Sequence, residues 1–344
     1  MKSKWRRAAK SAARTLLHKL GGLEDVRFWN RDEFRILMYH DFPSSLPEMQ
    51  ESLARQCDHM ARHYQVLSLT DMAGYLRAGK RLPRHSVAVT VDDGNRDFLL
   101  NGYPIFRAYR IPVTVFLVSG FLDRKLWLWW DQIDYLLANA RQKIVELGVF
   151  PTLPLTSFCL ETLPDRQDAV SKISWAVKEL TVEERVKVLE RLSQLVGVDV
   201  PDAPPPEWSP LDWSEVRELS KNHMDFGAHT VTHPRLSHIQ DPEELRREIG
   251  DCKRKIEDVI GRPVLHFCYP YGRWNDFNDQ TVKTVEACQF QTAVTAEHGL
   301  NYRESNLFKL RRIPVDAGTP EMYFQESLAG LHMGNQEEER MPFA

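Results

Sequence analysis

The chain has little of what marks the specialised protein classes. Only five of its 344 residues are cysteine (Cys57, Cys159, Cys252, Cys268 and Cys288). They are odd in number, scattered and never spaced as C-x-x-C, so they suggest neither a disulfide framework nor a cysteine zinc site, and a reducing compartment fits best. Neither sign of charge dominates: a formal net charge of -3 argues against a general nucleic-acid binder. No apolar run approaches the length of a transmembrane span, and the first twenty residues hold no uninterrupted stretch of signal-peptide length. The expected location is therefore cytoplasmic. Internal repeats and low-complexity tracts are missing too, apart from the acidic GNQEEER in a C-terminal tail at 331–344.

What is present begins with a basic segment, residues 1–33. Trp5, Ala8, Ala9, Ala12, Ala13, Leu16, Leu17 and Leu20 form one helical stripe. Seven lysines and arginines lie off it, with no acid before Glu24. This is the pattern of a basic amphipathic helix at an anionic membrane surface, and it makes residues 1–22 a candidate for peripheral contact with the inner face of the membrane. A solvated helix docked on its own domain, or a frayed tail, fits the pattern equally well.

From about residue 34 to 330, strand-like and helix-like stretches alternate, which points to a parallel α/β layout. RILMYH (35–40), VAVTV (87–91), VTVFLV (113–118), DFGAH (225–229), VLHFCY (264–269), QTAVTA and LRRIPV read as strands. The alternation breaks from 123 to 210, where the sequence is helical and tryptophan-rich, as expected of an inserted helical lid. Trp127, Trp129 and Trp130 fall too close together to share one core-facing stripe, so at least one should be exposed or face a cleft. The alternative is that they simply pack the insertion onto the main domain.

In parallel α/β folds, functional residues gather at the carboxyl ends of strands. His40, Asp92, Asp93, His229, His233 and the YPYG of 269–272 all follow strand-like runs. Asp92 and Asp93 pose a problem: adjacent carboxylates repel, and burying either is costly unless a cation or a proton-transfer task compensates. Asp-Asp-Gly is also an ordinary turn after a strand. His229 and His233 are four apart, so a helical turn there would project both imidazoles from one face and let them hold one cation. One carboxylate would complete a two-histidine set with open positions. Position 230 is Thr, so the H-E-x-x-H of zincin proteases is absent.

TVDDG, HTVTH and YPYG, in this order, resemble the first three signature motifs of the polysaccharide deacetylase family of metal-dependent carbohydrate esterases. ILMYHDF is further similar to the branch containing biofilm exopolysaccharide N-deacetylases. The resemblance spans about 35–330, apart from the insertion. It implies a distorted (β/α) barrel, a divalent metal (usually zinc) on Asp93, His229 and His233, and hydrolysis of N-acetyl groups from an amino sugar or glycan. It also implies that Asp92 is the general base and that the Tyr271 N–H is the oxyanion donor. The doubled aspartate then makes sense: the cation neutralises one carboxylate and leaves its neighbour free to accept a proton.

The chain departs from the family pattern twice. Many members carry an arginine two positions before the YPYG-type proline; here that position is Cys268, and Arg312 is the candidate replacement, with a purely structural ion pair as the alternative. The leucine-x-histidine motif near the C-terminus is missing, because AGLHM places His332 at the wrong spacing. His40 is the better candidate for the general acid, with Asp41 to orient its ring, although a lone histidine in such a place is often only structural. The expected partner is an N-acetylated sugar, glycan or lipid-linked glycan intermediate and not a nucleic acid. An amide hydrolase acting on a non-sugar substrate, or a silent glycan-binding homologue, is the alternative.

Overall fold

A computed structural model of the chain describes residues 21–43, 47–147, 157–222 and 224–331. The strands are β1 Arg35–Tyr39, β2 Gln65–Val66, β3 Ser86–Val91, β4 Val113–Leu117, β5 Ile144–Glu146, β6 Ser157–Cys159, β7 Asp225–Ala228, β8 His266–Cys268, β9 Thr292–His298 and β10 Leu310–Pro314. Seven of them close a ring in the order β1-β3-β4-β7-β8-β9-β10 and back to β1, every pair parallel. β2 adds to the start of β3. This is the (β/α) barrel the motifs implied.

Closure explains why the strands read as unbroken apolar runs. β1, β3 and β4 are buried at every position, because one face packs on the helices and the other fills the barrel. Leu37, Tyr39, Val89, Val91, Val113, Val115 and Leu117 join the helix-facing core with Leu53, Met60, Phe106, Ile249 and Phe324. The alternate residues Ile36, Ala88, Phe116, Cys268, Val294 and Leu310 form a separate interior cluster. Phe116 occupies the space over Gly227, where any Cβ would lie 2.3 Å from its ring. Continuing this alternation past Ala88 and Thr90 places Asp92 on the inner side at the carboxyl end of β3.

The chain enters at the other end of the barrel. Helix Gly22–Trp29 precedes β1, and Asn30 donates to Ala329 O at 2.7 Å. Arg35 is fully buried and satisfied only by carbonyls, those of Leu328 and Asn30 at 2.8 and 2.7 Å and that of Glu33. The basic stretch 1–20 and His332 lie outside the described residues.

The inserted segment has its own core, including Ile133, Leu136, Leu137, Val145, Phe158, Ile173, Val177 and Leu192. Its helices Trp129–Ala138, Leu163–Val177 and Val182–Val196 match the helical expectation, and the last two start at capping boxes, Thr162 with Asp165 and Thr181 with Glu184. The segment is not helical throughout, however. β5 and β6 form an antiparallel ribbon, and each is three residues long with only its middle residue buried. That is too short for a period-2 pattern to register.

Candidate active site

Three loops at the carboxyl ends of β3, β7 and β8 build the site, and each contains a non-glycine residue in the left-handed backbone region. Asp93 has φ 69, Thr230 φ 68, His233 φ 56 and Tyr271 φ 59. Such residues cost of order 1–3 kcal/mol each and persist only where the surroundings over-determine them. After Asp93 the turn continues through Gly94 (φ 88), where a Cβ would come within 2.8 Å of Leu117. The H-x-x-x-H stretch is therefore not helical, contrary to the spacing argument. Its imidazoles converge because the loop doubles back: Thr230 Oγ1 accepts from His233 N at 3.0 Å, and Glu248 Oε2 accepts from the amides of Val231 and Thr232 at 3.0 and 2.9 Å. Glu248 has no signal in the sequence, since it acts from a helix seventeen residues downstream.

Asp93, His229 and His233 meet. Nε2 of His229 and of His233 lie 3.5 and 3.7 Å from Asp93 Oδ1. Ligands of a tetrahedral zinc at bond lengths of 2.0–2.2 Å sit about 3.3 Å apart, so the set fits a cation with little adjustment. Cys268 O holds His229 Nδ1 at 2.8 Å and so aims Nε2 inward. Asp93 Oδ1 is buried with no hydrogen-bond partner among the described residues. Burial holds His229 neutral, with its pKa lowered to about 4, and burial, with the neighbouring His229, likewise takes His233 well below the ordinary imidazole range. Both rings thus offer lone pairs. Burial, then the charges of Asp92 and Asp41, push the Asp93 carboxyl well above its ordinary range. Asp93 therefore ionises readily only with a cation beside it.

Asp92 has the opposite environment. Burial by itself would raise its carboxyl, but Arg312 overrides this and holds it well below the ordinary range. The pair is bidentate, Arg312 Nη1 to Oδ1 and Nη2 to Oδ2, both at 2.7 Å, and Arg312 Nε donates to Thr295 O at 2.7 Å. Cys268 Sγ lies 3.5 Å from Asp92 Oδ2 and 3.2 Å from Arg312 Nη2. The small thiol on β8 leaves room for a guanidinium arriving from β10, two strands away. Asp92, His229 and Cys268 also cluster at ligand distances, but Asp92 is committed to Arg312 and burial keeps the Cys268 thiol protonated. The Asp93 set is therefore the better cation site.

His40 Nε2 is 3.7 Å from Asp92 Oδ2, with its side chain a third exposed at the mouth. Asp41 does not orient it: Asp41 Oδ1 accepts from Asn95 Nδ2 at 2.8 Å, and no hydrogen bond joins it to His40 among the described residues. The Tyr271 N–H has no acceptor among the described residues. The Tyr271 ring stands edge-on to His233, with centroids 4.9 Å apart.

Of the three tryptophans, Trp127 is buried under the insertion and Trp130 faces the site, edge-on to His233 at 4.9 Å. The next residue, Asp131, escaped the sequence reading. Its Oδ2 is shielded from solvent without a hydrogen-bond partner among the described residues, and burial, followed by the charges of Asp41 and Asp93, raises its carboxyl.

A (β/α) barrel with Asp93, His229 and His233 converging at its mouth has a layout that fits a divalent cation. Residues 152–293 match the family model for polysaccharide deacetylase. The match begins inside the insertion and takes in HTVTH and YPYG, while TVDDG lies upstream of it. YxkH of Bacillus subtilis (strain 168), classed by name with the polysaccharide deacetylases, is 26% identical over 303 residues, 86% of this chain and 77% of that protein. The poly-beta-1,6-N-acetyl-D-glucosamine N-deacetylase of Staphylococcus aureus (strain MSSA476) is 33% identical over 61 residues, 18% of this chain and 21% of the enzyme. In fold, the chain is similar to the Streptococcus pyogenes deacetylase PplD in complex with acetate. The TM-score is 0.57 at 17% identity, covering 87% of this chain and 99% of that one.

If Asp93, His229 and His233 hold a cation, each imidazole is one of three protein ligands. His229→Ala and His233→Ala should therefore each weaken divalent-metal affinity by more than the roughly 10–100-fold typical of losing an outer partner. Equilibrium dialysis with elemental analysis measures this, and full occupancy in both variants would place the ligands elsewhere.

Proposed function

We propose that the protein is a zinc-dependent N-deacetylase of an amino sugar or glycan, with Asp92 as general base. The observation that carries this reading is the divergence of two consecutive carboxylates: Asp92 is held by the bidentate Arg312, while Asp93 Oδ1 has no hydrogen-bond partner among the described residues and faces the two imidazoles. When bound by Asp93, His229 and His233, the cation supplies Lewis acidity and lowers the pKa of water. Asp92 takes a proton from the attacking water as the new C–O bond forms. The Tyr271 N–H donates to the acetyl oxygen as it gains charge. His40, beside Asp92 and open to the mouth, gives a proton to the nitrogen as the C–N bond breaks. Acetate and a free amine leave. Arg312 keeps Asp92 in one orientation and prevents it from swinging onto the cation. The segment 123–210 is the wall against which the sugar rests, with Trp130 as its aromatic face.

Asp92→Asn should keep metal and fold and lose turnover by about 10²–10⁴-fold. Acetate release from N-acetylglucosamine oligomers by the metal-replete variant measures this, and near-normal release would remove Asp92 as the base. For His40→Ala, hydrolysis of an activated acetate ester should fall far less than release from the amide, because only the amine leaving group needs a proton. Equal losses on the two substrates would make His40 structural.

We further propose that the protein works in the cytoplasm and attaches to anionic membrane through residues 1–22. The support is the basic stripe, followed in helix Gly22–Trp29 by exposed Phe28 and Trp29, 55% and 78% accessible. This helix lies at the end of the barrel opposite the mouth, so such attachment would turn the site away from the bilayer and suits a soluble or long glycan better than a short lipid-linked headgroup. Co-sedimentation with anionic vesicles should be salt-sensitive for the full chain and lost without residues 1–22. Equal partitioning of both would exclude the attachment.

A further inference from the structure

Besides the ion pair of Lys178 with Asp276 at 3.9 Å, the insertion grips the third loop at a phenol. Trp129 Nε1 and Arg185 Nη1 each donate to the Tyr271 hydroxyl at 3.1 Å. Arg185 is itself fixed, donating from Nε to Leu180 O at 3.1 Å and from Nη2 to Lys178 O at 3.2 Å, with its guanidinium 5.2 Å from the Trp129 ring. Those partners are neutral, so the guanidinium anchors the turn between helices Leu163–Val177 and Val182–Val196 to the phenol. The opposite end of Tyr271 is strained: φ is 59, and Gly272 N closes on Pro270 O at 2.6 Å in a three-residue turn. A bulky residue does not choose that backbone by itself. Here the ring is wedged edge-on against His233 at 4.9 Å and lies 6.5 Å from Trp130, while its hydroxyl is held by two donors. Both donors to the hydroxyl come from the insertion, while His233 and Arg235 of the second loop flank the ring.

We propose that Trp129 and Arg185 are positioning residues for deacetylation: by fixing the Tyr271 phenol they hold its strained backbone so that the N–H is ready for the oxygen that gains charge. This rests on the reading of Tyr271 as the oxyanion donor. The insertion is then part of the machinery and not only a cover. A donor displaced by even about an ångström costs on the order of 10²-fold in rate, and the loss falls on the transition state more than on ground-state binding.

The test uses the full zinc-loaded protein with N-acetylglucosamine oligomers and compares Tyr271→Phe, Arg185→Ala and Arg185→Lys, with Asp92→Asn as the reference. Tyr271→Phe removes one oxygen and should fold normally. It and Arg185→Ala should lower kcat by roughly 10–10²-fold, leave KM within about twofold, keep zinc content, and weaken inhibition by acetate, whose carboxylate oxygen competes for the same N–H. Arg185→Lys, which retains a donor, should recover part of the loss. Unchanged kcat in Tyr271→Phe, or a loss confined to KM, overturns the inference. If Asp92→Asn is inactive while Tyr271→Phe is not, this inference alone falls; if Asp92→Asn also turns over normally, the reading of the site falls with it.

Discussion

The buried ion pair between Asp92 and Arg312 sets the division of labour on which the site depends. Two consecutive aspartates at the mouth of a barrel are electrostatically unfavourable, and left alone both would be driven toward protonation by burial. A bidentate guanidinium at 2.7 Å satisfies both oxygens of Asp92, holds it charged and turns it away from the position between the imidazoles. Asp93 is left with the opposite problem, which a cation between His229 and His233 would solve. A buried arginine with one carboxylate and the Thr295 carbonyl as partners is tolerable only in a satisfied network, and Thr90 and Cys268 complete it.

The barrel makes that network possible. Only closure brings the carboxyl ends of β3, β8 and β10 within one side chain of each other. Only the inward parity of Asp92, Cys268 and Arg312 sends them to the same interior. The loops above bear the strain: Asp93, His233 and Tyr271 all sit in the left-handed region, held by Glu248, by the third-loop turn and, for Tyr271, by donors from outside the barrel. The insertion thereby becomes a structural neighbour of the Asp93, His229 and His233 cluster, with Trp130 and Tyr271 both standing edge-on to His233.

Much of the fold was legible in the sequence because ring strands such as β1, β3 and β4 are buried on both faces and so appear as largely apolar runs. The ribbon of β5 and β6 was not, because a three-residue strand with one buried side chain carries no period. The candidate ligands were legible as residues at strand ends, but the wrong local geometry was assigned to HTVTH. Spacing of four suggests a helix, and the chain uses two left-handed residues and a downstream glutamate to reach the same convergence. Asp41 was misjudged for a related reason: adjacency in sequence to His40 does not place its carboxylate against the ring, and Asn95 holds it.

By itself, the sequence determined the alternation that makes a parallel barrel, the chemistry available at the strand ends, and the small residue at 268 that leaves the arginine position empty. Those are properties of residue type and order. Which arginine fills the vacancy, which of two adjacent aspartates faces the two imidazoles, and that Trp129 and Arg185 reach the phenol of Tyr271 were decided only in the tertiary structure. These contacts join residues from 86 to 220 positions apart, and local propensity holds no information about pairs that only ring closure brings together.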